Sequence, residues 1–322
     1  DSSRVLAIYD WITNHISYDV ARMQQLKNNP QGEPQTVADV LKSRSAVCQG
    51  YADLFTALCK NLGINALVVG GYAKTNGKVM DMAHAWVVAQ LKGEWFLFDP
   101  TWGAGYLNNN QFVKRISYEF YKQSPKDIIF SHMPFDPLYQ FLSYPISNRE
   151  FIQGTSSDNK VLFNYSDSLA SYSQLSLPGK MTAELRRMEG AGIENDLLQS
   201  RKQYLKKGLQ FHSSNNSFDE ASKAFSRAIT LLNKYFEQKN KQFTTIGDNE
   251  LLQSVDSMDY YVKLARSSLS ETVTPNDEQQ RAKTNNLAST DQYWKQLEAE
   301  EQFVKKYIAA DKISRKQLFF KN

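Results

Sequence analysis

Cys48, His84 and Asp99 are of the three types that acyl-transfer chemistry needs, and they occur in that order in the first third of the chain. Cys48 opens a helical pattern after a loop, where unpaired amides and the helix dipole favour a thiolate. His84 lies in the apolar strand Ala83-His84-Ala85-Trp86-Val87-Val88, and Asp99 ends the next strand, across a tight turn at Lys92-Gly93-Glu94. In an antiparallel pair the two stand at similar distances from the turn, so the carboxylate can accept from one imidazole nitrogen while the other faces sulfur. Those are the parts of a Cys-His-Asp nucleophilic triad. Each residue also has an ordinary reading: a buried cysteine, a satisfied core histidine, an Asp that starts a turn before Pro100.

The elements that must position them follow from periodicity. Val5, Ile8, Tyr9, Ile12 and Ile16 recur at helical spacing and predict an amphipathic helix over 4–24. Pro30, Gly32 and Pro34 break the pattern, Thr36 caps a short helix to Lys42, and a helix from about Ser45 to Leu62 buries Leu54, Phe55, Leu58, Cys59 and Leu62. Strands follow at Ala66 to Tyr72, Ala83 to Leu91 and Trp95 to Asp99. Residues 152–180 read as a connecting segment with short strands such as Lys160 to Tyr165, and 181–322 as a helical domain. In that domain a helix over 196–211 is followed by a polar loop, a helix capped by Ser217, and later helices near 248–269 and 288–317. The stretch from Ser217 to Ile229 is tetratricopeptide-like, but no second copy occurs at the ~34-residue period, so a small bundle is expected rather than a solenoid.

Composition narrows the function classes. The 322 residues are 41% hydrophobic and 22% charged, an ordinary globular balance. The mean hydropathy of −0.53 and the lack of a long apolar run exclude a transmembrane helix. The net charge of +4 comes from residues 180–322, where 23 Lys/Arg meet 19 Asp/Glu with no basic stripe, so no nucleic-acid partner is expected. Cys48 and Cys59, roughly 16 Å apart along one helix, are expected to be free thiols. The chain starts at Asp1 without Met, which favours an exported protein, secreted or periplasmic, over a cytoplasmic one.

The motifs Val47-Cys48-Gln49-Gly50-Tyr51-Ala52, His84-Ala85-Trp86 and Asp99-Pro100-Thr101-Trp102 together resemble the catalytic core of the transglutaminase-like superfamily. Tyr9-Asp10-Trp11-Ile12 and Ile16-Ser17-Tyr18-Asp19 resemble its N-terminal signature, and Trp102-Gly103-Ala104-Gly105 with Phe130-Ser131-His132-Met133-Pro134 is similar to its kyphoscoliosis-peptidase branch. The resemblance covers about residues 4–151 and implies an α+β, papain-like catalytic domain over 1–151, with the Cys48 helix packed on an antiparallel sheet. It implies thioester chemistry on a protein or peptide amide, as a protease, amidase or transglutaminase. The Cys48 amide is the natural first oxyanion donor, and the second is unassigned, Gln49 being too near in sequence. Trp86 and Trp102 are candidates to wall a substrate groove, and His132 is a structural or groove residue rather than a base. Nothing resembles the acidic calcium loop of animal transglutaminases, so no metal or cofactor is expected. The competing function is a non-catalytic protein- or peptide-binding module, with the C-terminal helices as its partner-binding region.

Overall fold

The computed structural model describes residues 1–29, 33–158, 160–274 and 276–320; Pro30 and Gly32 lie outside the described residues. The chain divides into two compact units, Asp1–Leu205 and Lys206–Asn322, and the division falls within one helix, Asp196–Asn240.

In the first unit a helix over Ser2–His15 buries Val5, Ile8, Tyr9 and Ile12. The expected single helix over 4–24 is two. Ile16 leaves the first, Ser17 and Tyr18 pair in parallel with Ser45 and Ala46, and Asp19 caps a second helix over Val20–Asn28 by accepting from the Arg22 amide. A capping box of Thr36 and Asp39 starts the helix Val37–Ser43. The helix that begins at Cys48 is Cys48–Asn61, with Tyr51, Leu54, Phe55 and Cys59 buried; Leu62, expected on that face, lies just past the helix end and is exposed.

The sheet is antiparallel, in the order Lys78–Val79, Ala66–Thr75, His84–Leu91, Glu94–Phe98, and the strand His132–Pro134 pairs with residues 71–73 of Ala66–Thr75, overlapping the pairing with His84–Leu91 at Gly71. Lys92 and Gly93, at φ 53° and 86°, form the left-handed two-residue turn that a tight hairpin favours. Ala85, Val87 and Ala89 pack with the Cys48–Asn61 helix, while Trp86 and Val88 face the opposite layer with Val69, Leu97, Ile128 and Phe141. This alternation of faces places the strand between two cores.

The stretch 152–180 holds no strand among the described residues; a helix covers Tyr165–Ser173 instead, its Asn164 cap accepting from Asp167. The first unit also extends past the expected boundary at 181. Met188, Leu198 and Leu205 share a core with Tyr72, Met133 and Phe151, and Arg187–Asp136 and Arg201–Glu184 are bidentate ion pairs.

The second unit is helical, with a core of Tyr235, Leu251, Met258, Leu297, Val304 and Tyr307 drawn from Asp196–Asn240, Asp248–Glu271 and Asp277–Ala309. The polar run Ser213–Ser217, read as a loop, continues the helix without a break. The tetratricopeptide-like stretch therefore lies inside one 45-residue helix, not in the second arm of a helical hairpin. Cys48 and Cys59 are both free.

Candidate active site

Cys48 is the first residue of its helix, and no side chain caps that end, so the first-turn amides remain open to a ligand. The register of the hairpin, with Val87 opposite Phe98, brings Asp99 level with Trp86 and places His84 on the diagonal. Across that diagonal, His84 Nε2 meets Asp99 Oδ2 at 2.7 Å. The Cys48 side chain acts on the same ring, and both residues line one cleft. With Nε2 taken by the carboxylate, Nδ1 is the nitrogen left for sulfur. The structure thus joins His84 to Asp99 and places Cys48 beside His84 on one cleft.

Asp99 is 2% exposed, and both its oxygens are engaged. Oδ1 caps the short helix Pro100–Ala104 by accepting from the amides of Thr101 and Trp102 at 2.9 and 3.1 Å. Oδ2 faces His84 and, at 3.1 Å, Nε2 of His132. Burial of Asp99 opposes its charge, but His84 and His132 outweigh that cost and hold the carboxyl well below the usual carboxylate range. Burial also opposes the charge on His84; the charge and hydrogen bond of Asp99, helped by Cys48, prevail and raise it from 6.5 to about 10. His132 goes the other way: burial dominates and lowers it, despite its bond to Asp99. One ring is therefore set up as a cation and the other as a neutral imidazole. The ligand-type atoms of His84, Asp99 and His132 form the one such trio within 4.8 Å among the described residues, and hydrogen bonds already join them.

Cys48 and His84 open onto a cleft of about 420 Å³ whose walls include Gln49, Gly70, Phe135, Tyr139 and Tyr172. Gln49 borders it but donates its amide to Asp53 at 3.0 Å, on the outer side of the helix. Trp86 does not wall the groove: it is 1% exposed and belongs to the core, because it points into the sheet's far layer. Trp102 is half-buried and stacks on His84, with centroids 5.4 Å apart. His132 does not reach the cleft either; it is 1% exposed and sits behind Asp99.

A residue that the sequence reading left without a role is Tyr18. Its strand runs beside Ser45–Ala46, and the Asp19 amide donates to the Ala46 carbonyl at 2.9 Å, which places Tyr18 near the start of the Cys48–Asn61 helix. Burial pushes its hydroxyl upward, and the charge of the Cys48 sulfur reinforces that. The phenol therefore keeps its proton, and Tyr18 and Cys48 pack against the same core. The available signal was the Ile16/Tyr18 alternation between two helices, which marks a short extended segment rather than a helix end.

Residues 1–100 match the family model of the transglutaminase-like superfamily. The human kyphoscoliosis peptidase is 33% identical over 159 residues, 47% of this chain and 23% of its own length, and the mouse protein matches to the same extent. Hillarin of Drosophila melanogaster is 24% identical over 170 residues, covering 47% of this chain and 20% of its own. A solved structure from Cytophaga hutchinsonii shares 34% identity over 35% of this chain and 34% of its own, with a TM-score of 0.25. The chain thus spans less than a quarter of the length of these curated relatives. No helix among the described residues is long and apolar enough to cross a membrane.

Proposed function

We propose that this chain, whose N-terminal part carries a transglutaminase-like core, performs thiol-dependent acyl transfer on protein or peptide amides through Cys48, His84 and Asp99. The observation that carries the reading is the buried 2.7 Å contact of His84 with Asp99, with Cys48 and His84 together on the wall of one cleft. A cationic His84 beside sulfur favours the thiolate, which is the nucleophile. The sulfur attacks the carbonyl carbon, and the electron pair of the C=O bond moves to oxygen. The Cys48 amide and the Tyr18 hydroxyl are the donors we assign to that oxyanion. As the C–N bond breaks, His84 gives its Nδ1 proton to the leaving amine. Water, or an amine such as a lysine side chain, then attacks the thioester. It loses a proton to His84, the C–S bond breaks, and the ion pair is restored.

Asp99 keeps the ring in the tautomer this cycle requires. Its own fixed position comes from the two backbone donors at the start of the Pro100–Ala104 helix. The test is a pre-steady-state assay with p-nitrophenyl acetate. A burst of p-nitrophenol and an acetyl group on Cys48 by peptide mass spectrometry support the reading. An equal burst from Cys48→Ala would overturn it.

A further inference from the structure

Asp99 Oδ2 serves two histidines, and acyl transfer uses only one of them. His132 reaches the carboxylate from the strand His132–Pro134, which pairs with Ala66–Thr75 and so approaches from the side of the sheet away from Glu94–Phe98. Its Nδ1 lies 2.8 Å from the Ser131 hydroxyl and its Nε2 3.1 Å from Asp99 Oδ2. For a neutral ring, Nε2–H donates to Asp99 and Ser131 Oγ–H donates to Nδ1, the nearer of its two acceptors, the other being the Ile128 carbonyl at 3.2 Å. The faces of the ring are closed by Trp86, Trp102 and Phe120, with centroids 5.1, 4.6 and 6.1 Å away. Asp99 and His84 are the titratable groups on the elements packed against it, and Ser131 is its neighbouring hydroxyl.

From this geometry, and resting on the acyl-transfer reading above, we propose that His132 is a positioning residue. It acts through Asp99 and divides the carboxylate's hydrogen-bonding capacity, so that His84 is oriented yet still gives up its proton. The two histidines compete for one oxygen. Oδ1 is saturated by two backbone amides, so the charge available to the histidines is concentrated on Oδ2. If His84 were its sole partner there, the bond would tighten and the imidazolium would become a weaker acid. Protonation of the leaving amine needs the opposite. A second, neutral donor on the same oxygen moderates the pair without adding a net charge to a buried site. The inward change in function is small in atoms and large in effect, because it acts on the one proton that must move.

Side-chain 1H–15N spectra of the labelled full chain, recorded from pH 5 to 11, test this directly, since its four histidines are few enough to assign by substitution. The wild-type ring of His132 is expected to stay neutral with the proton on Nε2 up to pH 9. In His132→Phe, which keeps a ring but removes the donor, the His84 midpoint should rise by about one pH unit, a tenfold gain in proton affinity. His132→Gln, which restores an N–H donor, should bring it back most of the way. Ser131→Ala, at a half-buried position, should move it in the same direction as His132→Phe, because losing the donor to Nδ1 makes the His132 Nε2–H a weaker donor to Asp99. That variant decides the matter if His132→Phe does not fold. A protonated or Nδ1–H His132 in the wild type, or an unmoved His84 midpoint in the folded variants, overturns the proposal. Failure of the acyl-transfer reading has a separate signature: wild-type Cys48 would then react with iodoacetamide no faster than Cys59.

Discussion

Replacing Asp99 by Asn separates what the carboxylate does for stability from what it does for chemistry. Asn keeps an oxygen for the amides of Thr101 and Trp102, so the cap of the Pro100–Ala104 helix survives. Its NH2 group then faces His84 Nε2 and His132 Nε2, both of which now carry hydrogen. The rings can restore complementarity only by moving their protons to Nδ1. For His132 that is tolerated, because the Ser131 hydroxyl can accept instead of donate. The stability loss is therefore the difference between two charge-assisted bonds and two neutral ones, about 2 kcal/mol in total. For His84 the new tautomer points its proton at sulfur and leaves no basic nitrogen there. The imidazolium is gone, and an ordinary cysteine is only about 0.3% thiolate at pH 6. Alkylation by iodoacetamide at pH 6 should slow by about two orders of magnitude, and turnover by about 10⁴, the loss seen when a triad carboxylate is amidated. Urea unfolding and peptide-mapped alkylation rates measure the two effects side by side. Alkylation of Cys48 at the wild-type rate in a folded Asp99→Asn protein would refute the reasoning.

Tyr18→Phe should lower acylation of Cys48 by p-nitrophenyl acetate by about 10²-fold, the cost of one oxyanion donor, while leaving iodoacetamide alkylation within about twofold; an unchanged acylation rate removes Tyr18 from the site. Gly71 pairs with both His84 and Pro134, and a Cβ there would lie 2.2 Å from the Met133 carbonyl oxygen and 2.6 Å from Trp86, so Gly71→Ala should destabilise by about 3 kcal/mol; an unshifted melting temperature contradicts this. The His84–Asp99 pair also sets a pH dependence of stability. The raised His84 contributes fully below its ordinary 6.5, and that contribution is lost as pH climbs through about 10; the lowered Asp99 contributes above its ordinary 3.8 and loses this as pH falls below it. Urea midpoints should therefore decline from about pH 6.5 to 10 in the wild type, and the decline should shrink in Asp99→Asn.

The parts of the site that were legible in the sequence are those fixed by short-range rules. The hairpin at Lys92-Gly93 sets a register, and register alone brings His84 and Asp99 diagonal to one another. Helix periodicity located Cys48 at a helix start within three residues. The rest depended on contacts distant in sequence. His132 reads as one more histidine in an aromatic loop until the strand around it is seen to add to Ala66–Thr75. Trp86 and His84 look equally placed to line a groove, yet only His84 stands at the strand's open end; two residues further in, Trp86 is covered by Val69, Leu97 and Ile128. The helix predicted over 4–24 fails at Ile16 because Ser17 and Tyr18 gain ladder partners from Ser45 and Ala46, a tertiary gain that local periodicity does not contain. Conversely, the polar run at 213–217 carries weak helix formers that read as a loop, yet it is helical within a 45-residue helix.

The central claim is that Cys48 is an activated nucleophile, and differential alkylation of the two thiols addresses it most directly. Cys59 provides an internal reference: it is fully buried, and burial pushes its thiol up to about 11. The intact chain would be treated with iodoacetamide at pH 6, quenched over a time course, and mapped by peptide mass spectrometry. Rapid modification of Cys48 with Cys59 untouched is the predicted result, and slow, equal modification of both would contradict the account.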